Sequence, residues 1–492
     1  MSGATQDLLL RDARLPGAGT PADVLVSAGR VAALRPAGTV RRDGAAEVRL
    51  GGRWLRPALW DEHVHFTQWV IRRGRLDLSG TGSAAEVLAI VRAAPPGAGM
   101  LVGYGFRDGL WPDPPSLAGL DSVAPDRPVA LVSGDLHCGW LNSRAAALLG
   151  VTVDASGLAR ETPWIGALHR LDVETAPGVA AYRAAAQDAA RLGVVGIVDF
   201  ENADNLRDWP ARVAAGVTSL RVEASIWPSR LAAAAERGQR TGLPLDEQGL
   251  VTVGRLKIVA DGSLNTRTAL CWEPYPGMDP AGPHACGMQS VAPDELRELL
   301  AAARRAGIEV AVHAIGDRAN AEVLDAFEAS GVRGVIEHAQ LVSAGDFARF
   351  GRLGVVASVQ PEHAMDDRDL ADRYWHGRTG RAFAFRSLHE GGATVRLGSD
   401  APVSPLDPWL AISAAVTRSR GGREAWHPEQ RLPREVALAA SARGRTRVAA
   451  GDVADLMVLD QDPAVLDEER LRDVGVAGTL LAGRWTWNAL GR

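Results

Sequence analysis

A parallel (β/α)8 TIM-like barrel, carrying a small β-sandwich built from both termini and a subdomain inserted after the first strand, is the fold the sequence predicts. Three observations predict it. Eight apolar, β-branched runs recur through the middle of the chain, with helical patterns between the later ones. Both ends consist instead of short alternating segments separated by Gly and Pro. With 492 residues, the chain exceeds what one simple core organises, so a large domain with a smaller companion is expected.

At the amino end, segments 7–11, 22–26, 30–34 and 47–50 read as short antiparallel strands. Segments 454–460 and 474–481 repeat that style at the carboxyl end. Neither end has enough apolar surface to fold alone, which predicts one composite sandwich from 1–56 plus 447–492. The barrel then occupies 57–446. Its expected strands are the run into His65, then 194–199, 219–226, 254–260, 308–313, 334–338, 355–360 and 394–399. One helix begins near Asp294, with Glu295 and Glu298 suited to its positive amino end, and another runs from Asp317 to a stop at Ser330-Gly331. Residues from about 66 to 190 are too many for one connection and predict the inserted subdomain. Its strand at 128–133 leads into Gly134-Asp135-Leu136-His137.

A net charge of -5 argues against nucleic acid or an acidic membrane surface as partner. No apolar run approaches the ~18 residues that cross a bilayer, and no secretory leader is legible at the start. Cys138, Cys271 and Cys286 show no Cys-x-x-Cys spacing, so reduced thiols and a cytoplasmic location are expected. What remains is an enzyme or binding protein for a small molecule.

His63-Val64-His65 is the stretch richest in chemistry. Side chains alternate along a strand, so two imidazoles one residue apart face one point, a beginning for a metal site. Lys257, His313, His338 and Asp400 each lie in or close an apolar, strand-like run. In a (β/α)8 barrel the carboxyl ends of the strands converge on one mouth, so these six side chains are expected to meet. Each has a plainer reading: a hydrogen-bonded core histidine, a helix-capping Asp400, or Lys257 paired with Asp261 or Glu223. Coincidence at so many strand ends is what favours the metal.

In the order His-x-His, Lys, His, His, Asp, the chain resembles the amidohydrolase superfamily. Several phrases resemble its YtcJ-like group, amidohydrolase family 3. They are Lys257-Ile258-Val259-Ala260-Asp261-Gly262-Ser263-Leu264, Val312-His313-Ala314-Ile315-Gly316-Asp317-Arg318-Ala319, Ile336-Glu337-His338-Ala339-Gln340, Ser358-Val359-Gln360-Pro361-Glu362-His363 and Gly398-Ser399-Asp400-Ala401-Pro402-Val403. The resemblance implies that His63 and His65 hold the more buried of two divalent cations and His313 and His338 the other. It implies that Lys257, carboxylated by carbon dioxide, bridges them, and that Asp400 contacts the first and shuttles a proton. Zinc suits imidazole and oxygen donors, with iron, manganese or cobalt as alternatives and one or two ions per chain.

The implied reaction is hydrolysis of a non-peptide C–N bond, in an amide, N-acyl or N-formyl group of a small organic molecule. Cation-activated water attacks the carbonyl, and Asp400 carries its proton to the leaving nitrogen. His137 is the candidate donor to the carbonyl oxygen, although Gly134-Asp135-Leu136-His137 departs from the family's Asp-Gly-His. His363, Arg318, Gln340, Trp140 and Tyr275 are candidate substrate contacts, each with a structural alternative. Two rivals stand beside this reading: a deaminase of the same fold with a single metal, and a catalytically silent binding or regulatory barrel. A homodimer is the assembly common in the group.

Overall fold

The computed structural model describes residues 6–97, 99–106, 108, 111–133 and 138–491. It resolves into two compact units, 1–66 with 182–492, and 67–181. The larger unit contains the barrel. Its eight strands are Leu59–Val64, Val194–Asp199, Arg221–Ile226, Val251–Val259, Val310–Ala314, Gly334–His338, Val356–Val359 and Thr394–Leu397. They pair in chain order, every pair parallel. Val194–Asp199 and Gly334–His338 are buried along their whole length, as strands covered on both faces must be.

The two expected helices are present. Pro293–Ala306 starts on a proline, places Asp294 and Glu295 in its first turn and Arg304 and Arg305 in its last, and stops at Gly307. Asp317–Ser330 ends at Gly331, whose φ of 61° permits the left-handed turn that terminates a helix.

The barrel closes where the first and eighth strands meet. Asp400 N–H donates to the His63 carbonyl at 2.8 Å, and His65 N–H to the Ala401 carbonyl at 2.8 Å. Beside them, Ser399 N–H donates to Asp61 Oδ1 at 2.9 Å. A Cβ on Gly398 would lie 2.8 Å from the His63 nitrogen, so only glycine permits this approach. The seam therefore joins the His-x-His stretch directly to Asp400.

Two four-stranded sheets made from the chain ends also belong to the larger unit. One runs in the order Arg30–Pro36, Ala22–Ser27, Leu8–Ala13, Ala46–Arg49; the other in the order Arg484–Asn488, Val476–Leu481, Leu456–Leu459, Trp54–Pro57. Leu8, Leu10, Val24 and Val26 from the first share one core with Leu55, Leu456, Val458 and Leu480 from the second. Trp54–Pro57 and Arg484–Asn488 are strands without the apolar alternation that revealed the others; Arg56 instead pairs with Asp462 at 2.9 Å.

Residues 67–181 form a mixed five-stranded sheet in the order Leu158–Arg160, Cys138–Leu141, Val129–Ser133, Leu101–Phe106, Leu76–Asp77. Separate apolar clusters lie on its faces, one around Leu131 and Trp140, the other around Val132 and Trp164. The division falls at Ala181, within the helix Val179–Arg191, rather than at its end.

Candidate metal centre

His63 ends the first strand at an irregularity. The ladder passes from Ile197–Asp61 to Asp199–Val64, so the first strand carries one extra residue there. Regular alternation thus does not run through the His-x-His stretch. Both imidazoles still reach the same carboxylate: His63 Nε2 lies 3.5 Å and His65 Nε2 3.4 Å from Asp400 Oδ1. The other oxygen, Oδ2, faces His363 Nε2 at 3.9 Å. Two triplets emerge whose donor atoms lie within 4.8 Å of one another: His63, His65, Asp400, and His338, His363, Asp400.

Neighbouring strands orient these rings. His63 Nδ1 sits 2.7 Å from Glu337 Oε2; burial pushes the Glu337 carboxyl up to about 7, and above that value the carboxylate only accepts, so Nδ1 carries the proton and Nε2 keeps its lone pair. His338 Nδ1 meets Gln360 Oε1 at 2.8 Å, which leaves Nε2 free in the same way. His313 is turned round: Nε2 meets the Gly262 carbonyl at 3.1 Å, leaving Nδ1. Its ring lies 4.5 Å from that of His338, which lies 4.9 Å from that of His63. His338 and Asp400 also adopt positive φ, 76° and 58°. Such a conformation costs an ordinary residue about 1–2 kcal/mol, and strain of this kind collects at functional sites.

Lys257 is buried, with Nζ 3.4 Å from His63 Nε2 and 4.3 Å from the centre of the Phe200 ring. The carboxylates the sequence offered as its partners are engaged elsewhere. Asp261 accepts main-chain N–H groups from Leu270, Ile315 and Gly316, and Glu223 pairs with Arg443 and Arg255. Burial lowers the Lys257 pKa from its ordinary 10.5, against the opposing pull of Glu337 and Asp400. Burial also holds His63 and His338 well below 6.5, with Lys257 and His313 respectively adding to it. His313 falls to about 4 for the same reason, reinforced by Lys257. Burial would raise Asp400, but His63 and the contact to His65 outweigh it and keep the carboxylate ionised. The centre therefore sets neutral imidazoles of His63, His313 and His338 beside an anionic oxygen donor.

Two expected effects follow. Glu337→Gln leaves His63 without its charged acceptor and should weaken divalent-cation binding roughly tenfold, read by competition with a chromophoric chelator. His313 in the metal-free protein refuses a proton that the unfolded chain accepts, so its stabilising contribution is lost as pH falls from 6.5 towards 4. Over that span it amounts to about 3 kcal/mol. Urea unfolding of wild type and His313→Asn at pH 7 and 4.5 should show the wild type losing more stability on acidification.

The remaining candidates divide. His363 joins the centre. Gln340 is buried, and its Oε1 has no hydrogen-bond partner among the described residues. Arg318 pairs with Glu322 at 2.8 Å and lies over the Trp272 ring rather than in either triplet. Tyr275 is not open to a substrate: it is buried, and its hydroxyl donates to the Ala269 carbonyl at 2.9 Å. Trp140 is likewise a core side chain, fully buried within the 67–181 unit, with its indole N–H directed at the Ser116 carbonyl. Their aromatic bulk suits an interior as well as a pocket, which is why sequence could not separate the two. His137 lies outside the described residues. Glu337, Gln360 and Asp61 were missed as orienting residues; the available signal was a polar residue one to three positions from a candidate residue, in or next to an apolar run.

The amidohydrolase family model matches residues 46–486. A putative amidohydrolase, YtcJ, of Bacillus subtilis (strain 168) is 29% identical, covering 89% of this chain and 90% of its own. An N-substituted formamide deformylase of Arthrobacter pascens is 26% identical, over 94% of each. Among solved structures, a metal-dependent hydrolase of Pyrococcus horikoshii OT3 superposes with a TM-score of 0.77 at 26% identity, covering 94% of this chain and 99% of that one.

Proposed function

The chain belongs to the amidohydrolase family, and from that premise we propose that it is a metal-dependent hydrolase of a non-peptide C–N bond in a small amide, N-acyl or N-formyl compound. One observation carries this reading: His63, His65, His313, His338, Lys257 and Asp400, carried on five different strands or their ends, lie close to one another. The donor set fits a divalent cation. Bonds of about 2.0–2.1 Å in tetrahedral geometry place ligand atoms roughly 3.3 Å apart, and the 3.4 and 3.5 Å separations at Asp400 Oδ1 agree. Imidazole and carboxylate donors favour zinc.

His63, His65 and Asp400 would hold one cation; His338, with His313 and Lys257, would hold a second. Such a cation supplies acidified water and polarises a carbonyl. The remaining work belongs to the chain. Asp400, ionised and reaching both triplets, accepts a proton from water and delivers it to the leaving nitrogen. Lys257, made easier to neutralise by burial beside Phe200, can take up carbon dioxide and become an oxygen donor. His137 is our candidate donor to the carbonyl oxygen, and Gln340 a candidate substrate contact. The formamide-cleaving relative supports N-substituted formamides as the first substrates to try. No helix among the described residues is long and apolar enough to cross a membrane, and three cysteines without Cys-x-x-Cys spacing support a reducing compartment such as the cytoplasm.

The test is turnover of metal-loaded protein on a panel of N-substituted formamides, N-acyl compounds, lactams and aminopurines. Amine released from an amide supports the proposal. Ammonia from an aminopurine would replace it with the deaminase reading, and binding without turnover by the metal-loaded protein would replace it with the silent one.

A further inference from the structure

We infer that His363 is a metal ligand, a further protein donor of the second cation beside His338, and that Asp400 reaches both positions through its separate oxygens. The inference rests on the metal reading above and makes it more specific. His363 lies in the first turn of the helix Pro361–Tyr374, which follows the seventh strand Val356–Val359 almost at once. That connection brings the ring to the strand ends. His363 is 5% exposed, and its Nε2 is buried without a hydrogen-bond partner among the described residues. An imidazole nitrogen sealed from water and left unpaired is costly unless something occupies its lone pair. Asp400 Oδ2 is 3.9 Å away, and the His338 ring stacks nearly parallel at 6.2 Å with an interplanar angle of 12°.

His338 already has Nδ1 committed to Gln360, so its Nε2 is the atom left for a ligand. Gln360 begins the connection that carries His363, so one short segment both orients one imidazole and supplies the next. Asp400 completes the symmetry: Oδ1 faces His63 and His65, whereas Oδ2 faces His363. A substrate contact would leave the cation sites complete without residue 363. A ligand would not.

Chelator-stripped wild type and His363→Gln, with circular dichroism to verify folding, should be titrated with zinc against a chromophoric chelator. The expected result is two equivalents for the wild type, and for the variant either loss of one or at least a tenfold weakening of it. A folded variant that matches the wild type in equivalents and affinity overturns the inference, whatever the wild-type number; a raised KM with unchanged zinc binding points to a substrate contact instead. Wild type that binds no divalent cation would refute the underlying metal reading. Should the variant not fold, 15N spectra of histidine-labelled wild type decide. Zinc must move the His363 Nε2 resonance into the coordinated range, and an unmoved resonance overturns the assignment.

Discussion

Asp400→Asn should lower kcat by about three orders of magnitude while the protein remains folded. The reason is positional. Asp400 is the one carboxylate shared by both triplets, and it is held well below its ordinary value despite burial. Asparagine preserves its shape and one oxygen donor but can neither accept nor deliver the proton. It is also the substitution the backbone tolerates best, because φ is 58° and asparagine visits the left-handed region more readily than most residues. Alanine there would mix backbone strain with lost chemistry. Steady-state kinetics, zinc content and thermal melting, measured on one preparation, separate the two effects. A variant with full metal occupancy and near wild-type kcat would remove Asp400 from the reaction.

A second large effect is expected far along the chain. Arg443 forks onto Glu62 at 2.6 and 3.2 Å and reaches Glu223 at 2.5 Å, while its guanidinium lies 3.4 Å over the Trp60 ring. Glu62 and Glu223 are well buried, 5% and 17% exposed at the side chain. Glu62 also faces Arg255 and Arg396 around a cavity of about 150 Å³ whose wall includes Glu337. Arg443→Met keeps the stem on Trp60 but strips buried Glu62 of its fork and leaves Glu223 with Arg255 alone. Breaking such a pair from one side costs about 3–5 kcal/mol; with one quarter of Arg443 exposed, we expect about 3. Urea denaturation measures it. Arg443→Lys should lose less, since it keeps the charge but not the fork. Equal stability of Arg443→Met and wild type would contradict this account of the network.

Much of the architecture was legible because its determinants are local. Fully buried parallel strands are continuous apolar runs, and 194–199 and 334–338 announce themselves that way. The helix stop at Gly331 needed only its glycine. Long-range placement was harder to read. That the first and eighth strands close tightly enough to demand Gly398 depends on strands more than three hundred residues apart, and the bulge at His63 depends on pairing with 194–199. The candidate ligands could be named because histidine and lysine are conspicuous in apolar runs. Glu337 and Gln360 could not, since their roles exist only across neighbouring strands. Trp140 and Tyr275 show the converse: a large aromatic with a polar atom reads alike whether it lines a pocket or fills a core with that atom satisfied internally.

The most direct measurement is anomalous X-ray diffraction from crystals of zinc-loaded protein, collected on either side of the zinc absorption edge. The account requires an anomalous peak within bonding distance of His63 Nε2, His65 Nε2 and Asp400 Oδ1. Full zinc occupancy at some other place, with those three side chains bare, would contradict it.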